Sequence, residues 1–459
     1  MKKIKKPLVL GTLLLAGVCA GPAAADPILT IQKYIPIPSD TANLQPNGTF
    51  NSFDISYADP VTGNVYIADR SNASVDIFSG SSLTYLGRAT GFAGEGSITA
   101  PLSSSKAGAD GVLTVTSGTT TTIYAGDAPS GTNSFGTLKV FSATTANPGV
   151  ASLLQTLSTG GTTRVDEMAY SPMTHQVLAA NNAETPAYGN LFTTTGPVTA
   201  PATLLNSPNP VVGQPANAII IPASLGGIAA GGLEQPVWVA NTARPGGGSF
   251  YISVPALAGT NNPGGLAEIS NTGAVLRTID FGTMGISSCS PTGLAVGASG
   301  NLMVGCGAVG SQAIVINPAG AGSLVKTFPG LGGTDELWYD PTTGKFYLTG
   351  NNGTNSGRFF DVVTDDIGGG IITQSVTLPI DGSAHSIAVD PLNGDVFVAL
   401  AGNTFHTDGT VNIADPTCPL GCIAVYGVNG VPEPDSLPIL LIGAVALLGL
   451  AVQRRRRDA

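Results

Sequence analysis

One pattern recurs along this chain and leaves few folds open to it. Phe53-Asp54-Ile55-Ser56-Tyr57-Ala58-Asp59-Pro60 leads through Thr62-Gly63 to Val65-Tyr66-Ile67-Ala68. Val165-Asp166-Glu167-Met168-Ala169-Tyr170-Ser171-Pro172 leads to Val177-Leu178-Ala179-Ala180. Thr334-Asp335-Glu336-Leu337-Trp338-Tyr339-Asp340-Pro341 leads through Thr343-Gly344 to Phe346-Tyr347-Leu348-Thr349. Ala384-His385-Ser386-Ile387-Ala388-Val389-Asp390-Pro391 leads through Asn393-Gly394 to Val396-Phe397-Val398-Ala399. The step from Asp54, Asp166, Asp335 or His385 to the end of the second run is 14 residues each time (54 to 68, 166 to 180, 335 to 349, 385 to 399). Each unit reads as a β-hairpin. Proline presets φ for a type I turn, and the glycine takes the left-handed position that closes it.

Weaker copies fill the gaps. Residues 109–115 are expected to pair with 122–125, 216–222 with 237–241, and 291–296 with 301–304. Seven units then start near 54, 110, 166, 217, 292, 335 and 385. Third strands are expected at 74–78, 137–141, 313–316 and 422–426, and fourth strands at 83–88, 153–157, 275–279, 324–328 and 372–378. Seven repeats of four strands predict an all-β, seven-bladed β-propeller. The last unit has no fourth strand of its own, and residues 28–35 are expected to supply it, closing the ring and removing its open edges. Composition agrees. Only 10% of residues are charged, against 62 glycines, so long amphipathic helices lack the Lys, Glu and Arg for their wet faces.

The two ends read differently. Lys2, Lys3, Lys5 and Lys6 precede an apolar stretch at 7–20, and Ala23-Ala24-Ala25 offers a cleavage site before Asp26. This predicts a signal peptide over 1–25 and a mature body over 26–430. At the other end, Val431-Pro432-Glu433-Pro434 precedes an uncharged apolar run at about 437–452, followed by Arg454, Arg455, Arg456 and Arg457. The run is at the short end of what spans a bilayer, and cationic flanks stay cytoplasmic, which puts the body on the outer side.

The order of Pro432-Glu433-Pro434, apolar segment and arginine cluster resembles the PEP-CTERM sorting signal over 431–459. That resemblance implies export by a Gram-negative bacterium and a transient stay in the inner membrane through a transmembrane helix. It also implies removal of the tail by an exosortase-type processing enzyme, then release to the outer surface or extracellular matrix, often beside extracellular polysaccharide. The repeat itself, with Val-Tyr-Ile-Ala-Asp or Val-Trp-Val-Ala-Asn in the second strand of a hairpin, resembles the NHL and YVTN propellers over most of 54–426. Members of that group include protein-binding scaffolds, surface proteins, lactonases and lyases, so the resemblance implies a fold and leaves function open.

Processing changes the charge. Taking the eight terminal bases and the three tail acids (Glu433, Asp435, Asp458) from 19 Lys+Arg and 29 Asp+Glu leaves 11 and 26, near −15 for the body. Nucleic acid is excluded as a partner, because it needs a basic footprint. Outside the cytoplasm, Cys289 with Cys306 and Cys418 with Cys422 are expected to form two local disulfides rather than a metal site.

In a propeller, residues just before each innermost strand gather at the channel. Here they are Asp54, Asp110, Asp166, Asp335 and His385, with Asp69, Asp127, Asn181 and Asn241 at the ends of the second strands. Such a ring of oxygens suits Ca2+ or another divalent cation. The competing expectation is no cofactor: these side chains recur by repeat, as turn caps do. Asp166-Glu167 and Asp335-Glu336 are paired carboxylates, but nothing marks an asymmetric catalytic set. His175 and His406 lie in a turn and a polar loop. No nucleophile elbow, phosphate-cradling loop or zinc helix is present. The leading expectation is a non-catalytic binding or scaffold protein for polysaccharide or a surface protein. The alternatives are a divalent-metal lactonase, hydrolase or lyase in the channel, and a surface-layer-like structural component.

Overall fold

The computed structural model describes residues 28–428 except 41–42, 44–47, 98–99, 132, 195–201, 228–231, 258–262, 308–311, 352–357, 379–385 and 403–417. The leader at 1–25, the tail at 431–459, His385 and His406 lie outside the described residues. No helix among the described residues is long and apolar enough to cross a membrane.

Seven four-stranded antiparallel sheets make a β-propeller. From channel to rim, blade 1 runs Phe53–Ala58, Val65–Asp69, Ser74–Ser79 and Thr84–Thr90. The innermost strands of blades 2 to 6 are Val112–Ser117, Met168–Ser171, Pro236–Ala240, Pro291–Val296 and Leu337–Asp340. Blade 7 is built from both ends of the chain. Ile387–Val389, Val396–Ala401 and Gly421–Val428 come from one end, and Leu29–Pro36 from the other. The closing register runs from Leu29 opposite Val428 to Pro36 opposite Cys422. Gln374 of blade 6 ties this strand down, donating to the Leu29 carbonyl at 3.2 Å and accepting its N–H at 3.1 Å.

The core is not one mass but a ring of seven apolar seams, each between neighbouring sheets. One seam packs Phe53, Val65 and Phe78 on Ile35, Phe397, Ile423 and Val425, joining blades 1 and 7. Another packs Tyr66, Val75 and Ile77 on Val112, Ile123 and Phe141, joining blades 1 and 2. Strand alternation supplies this arrangement, because both faces of every blade are covered and both must be apolar.

The repeated turn does two jobs. Asp59 Oδ1 accepts from the N–H groups of Val61 (3.0 Å) and Thr62 (2.8 Å), while Gly63 sits at φ +68°. Asp59 Oδ2 reaches into blade 2 and accepts from the hydroxyls of Thr114 (2.8 Å) and Thr116 (2.7 Å). Asp340 and Asp390 cap their own turns in the same way, with Gly344 and Gly394 at positive φ.

The fourth unit differs from expectation. Pro236–Ala240 is the innermost strand of blade 4, not a second strand, and pairs with Gly248–Val254. The segment at 216–222, expected to be innermost, instead lies on blade 3. Its Ile219 exchanges backbone bonds with Gly189 at 2.9 and 3.0 Å. Its apolar residues Ile219 and Ile221 fill the seam between blades 3 and 4. The segment lacks the Asp-Pro turn, so its apolarity marks seam filler rather than a strand of the hairpin.

Two disulfides are present, Cys289–Cys306 and Cys418–Cys422. Replacing Asp59 by Ala removes a turn cap and the bridge between blades 1 and 2 together. The expected loss is roughly 2–3 kcal/mol, read as a lower midpoint in urea unfolding; an unchanged midpoint would show that the bridge contributes nothing.

Candidate functional site

Each innermost strand is a sheet edge. Half of its N–H and C=O groups have no partner strand and face the channel, where they need acceptors and donors. Register aligns the strands at one level: Ser56 opposite Ile67, Pro236 opposite Ile252, Leu294 opposite Val304, Leu337 opposite Leu348, and Ile387 opposite Val398. One residue earlier stand Glu167 in blade 3, Gln235 in blade 4 and Glu336 in blade 6.

Two of these three satisfy the next two blades. Gln235 Oε1 accepts the N–H of Leu294 at 2.6 Å and of Leu337 at 3.3 Å, while its Nε2 donates to the Leu337 carbonyl at 3.2 Å. Glu336 Oε2 accepts the N–H of Ser56 at 3.2 Å and the Ser386 hydroxyl at 2.5 Å, and the carboxylate also accepts the Ile387 N–H. Glu167 has no such donors. Proline occupies the matching position of the next blade at Pro236 and carries no N–H. The blade after that offers Leu294, already bonded to Gln235. Glu167 Oε2 is buried without a hydrogen-bond partner.

Above this level, toward the strand starts, the acids predicted for the channel do converge, but around two arginines. Arg70 pairs with Asp54 and, at 2.6 Å, with Asp110, and it donates to the Phe53 carbonyl at 3.0 Å. Arg164 pairs with Asp166 at 2.7 Å and lies 3.9 Å from Asp110. Glu234 and Asp335 lie close enough to act electrostatically on Glu167. The Asn182 amide donates to Glu234 at 3.4 Å.

Burial dominates the ionisation of this layer. It pushes Asp110 well up, against the pull of Arg70 and Arg164. Asp166 is raised to about 6 by burial, opposed by Arg164. Glu167 is raised well above the usual range by burial, then by Glu234, Asp166, Asp335 and Asp54. Glu234 follows for the same reasons, through burial, Asp166 and Asp335. Burial also raises Glu336, against the donors it accepts.

The other predicted positions are structural. Asp69 accepts the Asn72 N–H at 3.0 Å, and Asp127 accepts from Ala93 and Ala128 and pairs with Lys139 at 2.9 Å. Asn181 donates to Asn190 at 2.6 Å, and Asn241 accepts the Ala243 N–H at 3.0 Å. Among the described residues no group of three or more His, Cys, Asp or Glu is arranged to hold a metal ion.

Below the Glu167 level the channel widens into a cavity of about 560 Å³. Its walls are apolar and aromatic: Tyr57, Tyr170, Trp238, Trp338 and Tyr339, with Leu113, Val115 and Leu294 between them. Glu167, Gln235 and Glu336 form the floor. The Asp-Pro turns, through Pro60, Val61, Pro341 and Pro391, and the Ser171-Pro172 turn form the mouth. Val61 is 55% exposed, so the mouth meets solvent. Trp338 packs edge-on against Tyr57 at 5.2 Å, and Trp238 against Phe250 at 4.8 Å. A second cavity of about 440 Å³ lies between blades 4 and 5, but its charges are mutually engaged. There Glu268 pairs with Arg244 at 2.8 Å and Arg277 at 2.5 Å.

Arg70, Arg164, Glu234, Gln235 and the aromatic wall are the site residues that the repeat alone did not expose. Placing the fourth unit at 217 hid Gln235-Pro236. With that unit phased at 234, Glu234-Gln235 aligns with Asp166-Glu167 and Asp335-Glu336.

No protein-family model matches the chain, and no curated protein matches it significantly. Solved structures similar to it include the WD40 β-propeller domain of Doa1. That likeness has 11% identity and a TM-score of 0.50, covering 88% of this chain and 98% of that one. U3-55K is similar at 9% identity and a TM-score of 0.50, over 83% and 97% of the two chains. Virginiamycin B lyase from Staphylococcus aureus shows 10% identity and a TM-score of 0.47, over 83% and 96%. Likeness at these identities shows the propeller fold alone.

Two outcomes follow from the acid layer. Arg70→Met strands Asp54 and Asp110 without their buried partner, and the expected loss is about 3–5 kcal/mol; denaturant unfolding measures it. The raised carboxyls bind protons in the folded state that the unfolded chain has already released. Their contribution is therefore full below about pH 4 and is lost as pH rises through the folded pKa, about 6 for Asp166. Melting temperature should fall between pH 5 and pH 7.5. A melting temperature that rises over this interval would contradict the assignment.

Proposed function

We propose that this protein is an exported, non-catalytic binding propeller and that its ligand seats in the wide half of the central channel. The observation that carries this reading is the cavity: about 560 Å³, walled by five aromatic side chains and floored by three polar ones. Sites for small ligands have this size and this division between apolar wall and few polar groups. The acid layer above closes on its own arginines and leaves the cavity mouth as the approach. The alternative of a metal-dependent hydrolase or lyase draws no support from Asp54, Asp110 and Asp166, whose charges are engaged by Arg70 and Arg164. Polysaccharide or a surface protein remains the partner class that the sequence suggests.

Export rests on the ends of the sequence. The lysines, apolar core and alanines at 1–25 support cleavage before Asp26. Pro432-Glu433-Pro434, the apolar run and Arg454 to Arg457 support transient membrane insertion and trimming by an exosortase-type enzyme. Delivery would end at the outer surface or in the extracellular matrix.

Calorimetry of the purified protein against a panel of ring-bearing small molecules tests the channel. Trp238→Ala and Tyr170→Ala should each weaken a binder about 10-fold or more, in line with the roughly 1–3 kcal/mol of an aromatic contact in a cavity. Equal binding by both variants would move the site elsewhere. Mass spectrometry of protein recovered from the producing cells should show chain ends at Asp26 and upstream of Leu437; an intact tail would remove the sorting proposal.

A further inference from the structure

We propose that the cavity selects ligands joining an apolar, ring-like body to an organic ammonium group, with the ammonium seated on Glu167. The inference rests on the channel being the binding site, and it adds the chemical class of the ligand.

The floor supplies an internal comparison. Gln235 and Glu336 occupy equivalent positions and are saturated by neighbouring backbone N–H groups. Glu167, only 3% exposed, keeps Oε2 without a partner because Pro236 removes the donor that the pattern would supply. A buried carboxyl oxygen left unpaired is destabilising, and a ligand N–H can recover that cost.

The surroundings decide the sign of the ligand's charge. The groups that act on Glu167 are Asp166 on its own strand, Glu234 from blade 4, Asp335 from blade 6 and Asp54 from blade 1. Among the described residues Arg70 and Arg164 oppose part of this charge, and both are paired with Asp54, Asp110 and Asp166. A carboxylate or phosphate entering here meets net negative charge, whereas an ammonium meets attraction.

The walls decide the rest. Ca2+ takes six to eight oxygens, and the floor leaves one carboxylate with an unengaged oxygen. Aromatic faces instead favour an organic cation, through ring burial and cation–π attraction. Burial and the neighbouring carboxylates favour the protonated form of Glu167 in the ligand-free protein. An ammonium seated on it favours the ionised form, so binding should be accompanied by proton release. Affinity for an amine should therefore rise with pH until the amine itself deprotonates.

Three indole probes differing only in their charged end separate the possibilities: tryptamine (cation), tryptophol (neutral) and indole-3-propionate (anion). Calorimetry on the purified full chain at pH 8 should show tryptamine binding at least 10-fold tighter than tryptophol, and indole-3-propionate weakest. The tryptamine advantage, read as the ratio of the two affinities in each protein, should shrink at pH 5.5 and vanish in Glu167→Gln. Pro236→Ala restores the missing N–H without altering charge, and should cut tryptamine affinity several-fold. It carries the test if Glu167→Gln does not fold. Equal affinity for tryptamine and tryptophol overturns the ammonium proposal and leaves the channel site standing. Binding by none of the three overturns both.

Discussion

The ring closes through hydrogen bonds between the two ends of the chain. Leu29–Pro36 pairs with Gly421–Val428, and without that pairing blade 7 would present an unpaired edge at its rim. Everything inside depends on this closure. The seven apolar seams between sheets form a continuous cycle, and the seams on either side of blade 7 require that blade to stand in place.

Closure at the rim creates a second problem at the axis. Seven innermost strands turn their unpaired backbone groups toward one another. The molecule answers with side chains that reach forward across blades, Gln235 to blades 5 and 6 and Glu336 to blades 7 and 1. The same device placed at Glu167 meets Pro236 and finds no donor. A quasi-symmetric ring thus acquires one asymmetric point, lying at the bottom of the aromatic cavity. The acid layer behind it shows the same economy. Arg70 and Arg164 are each shared between carboxylates of neighbouring blades, so these charges brace the top of the channel.

Much of this was legible in the residues. The 14-residue step, the Asp-Pro-x-x-Gly turn and the apolar run at 28–35 led to seven blades and to their closure. Asp54, Asp110 and Asp166 share Arg70 and Arg164 as partners. That pairing was not legible, because Arg70 follows a second strand and Arg164 precedes an innermost one, and no spacing rule links either to its acids. Blade 4 was misphased for a physical reason. The run Ala218-Ile219-Ile220-Ile221 has strand composition, yet it serves as filler on blade 3, and composition alone does not distinguish a strand from a plug.

The sequence by itself determined the repeat, its turns, the all-β architecture and the acidity of the body, because these follow from local propensity and periodicity. It also carries at both ends the signals on which the export proposal rests. Tertiary structure alone decided which polar side chains face the channel, which of them find partners and where the cavity opens. Those outcomes depend on register between strands about 60 to 100 residues apart, Glu167 with Pro236, Gln235 with Leu294 and Leu337. A proline's missing N–H matters only once the ring brings a carboxylate opposite it.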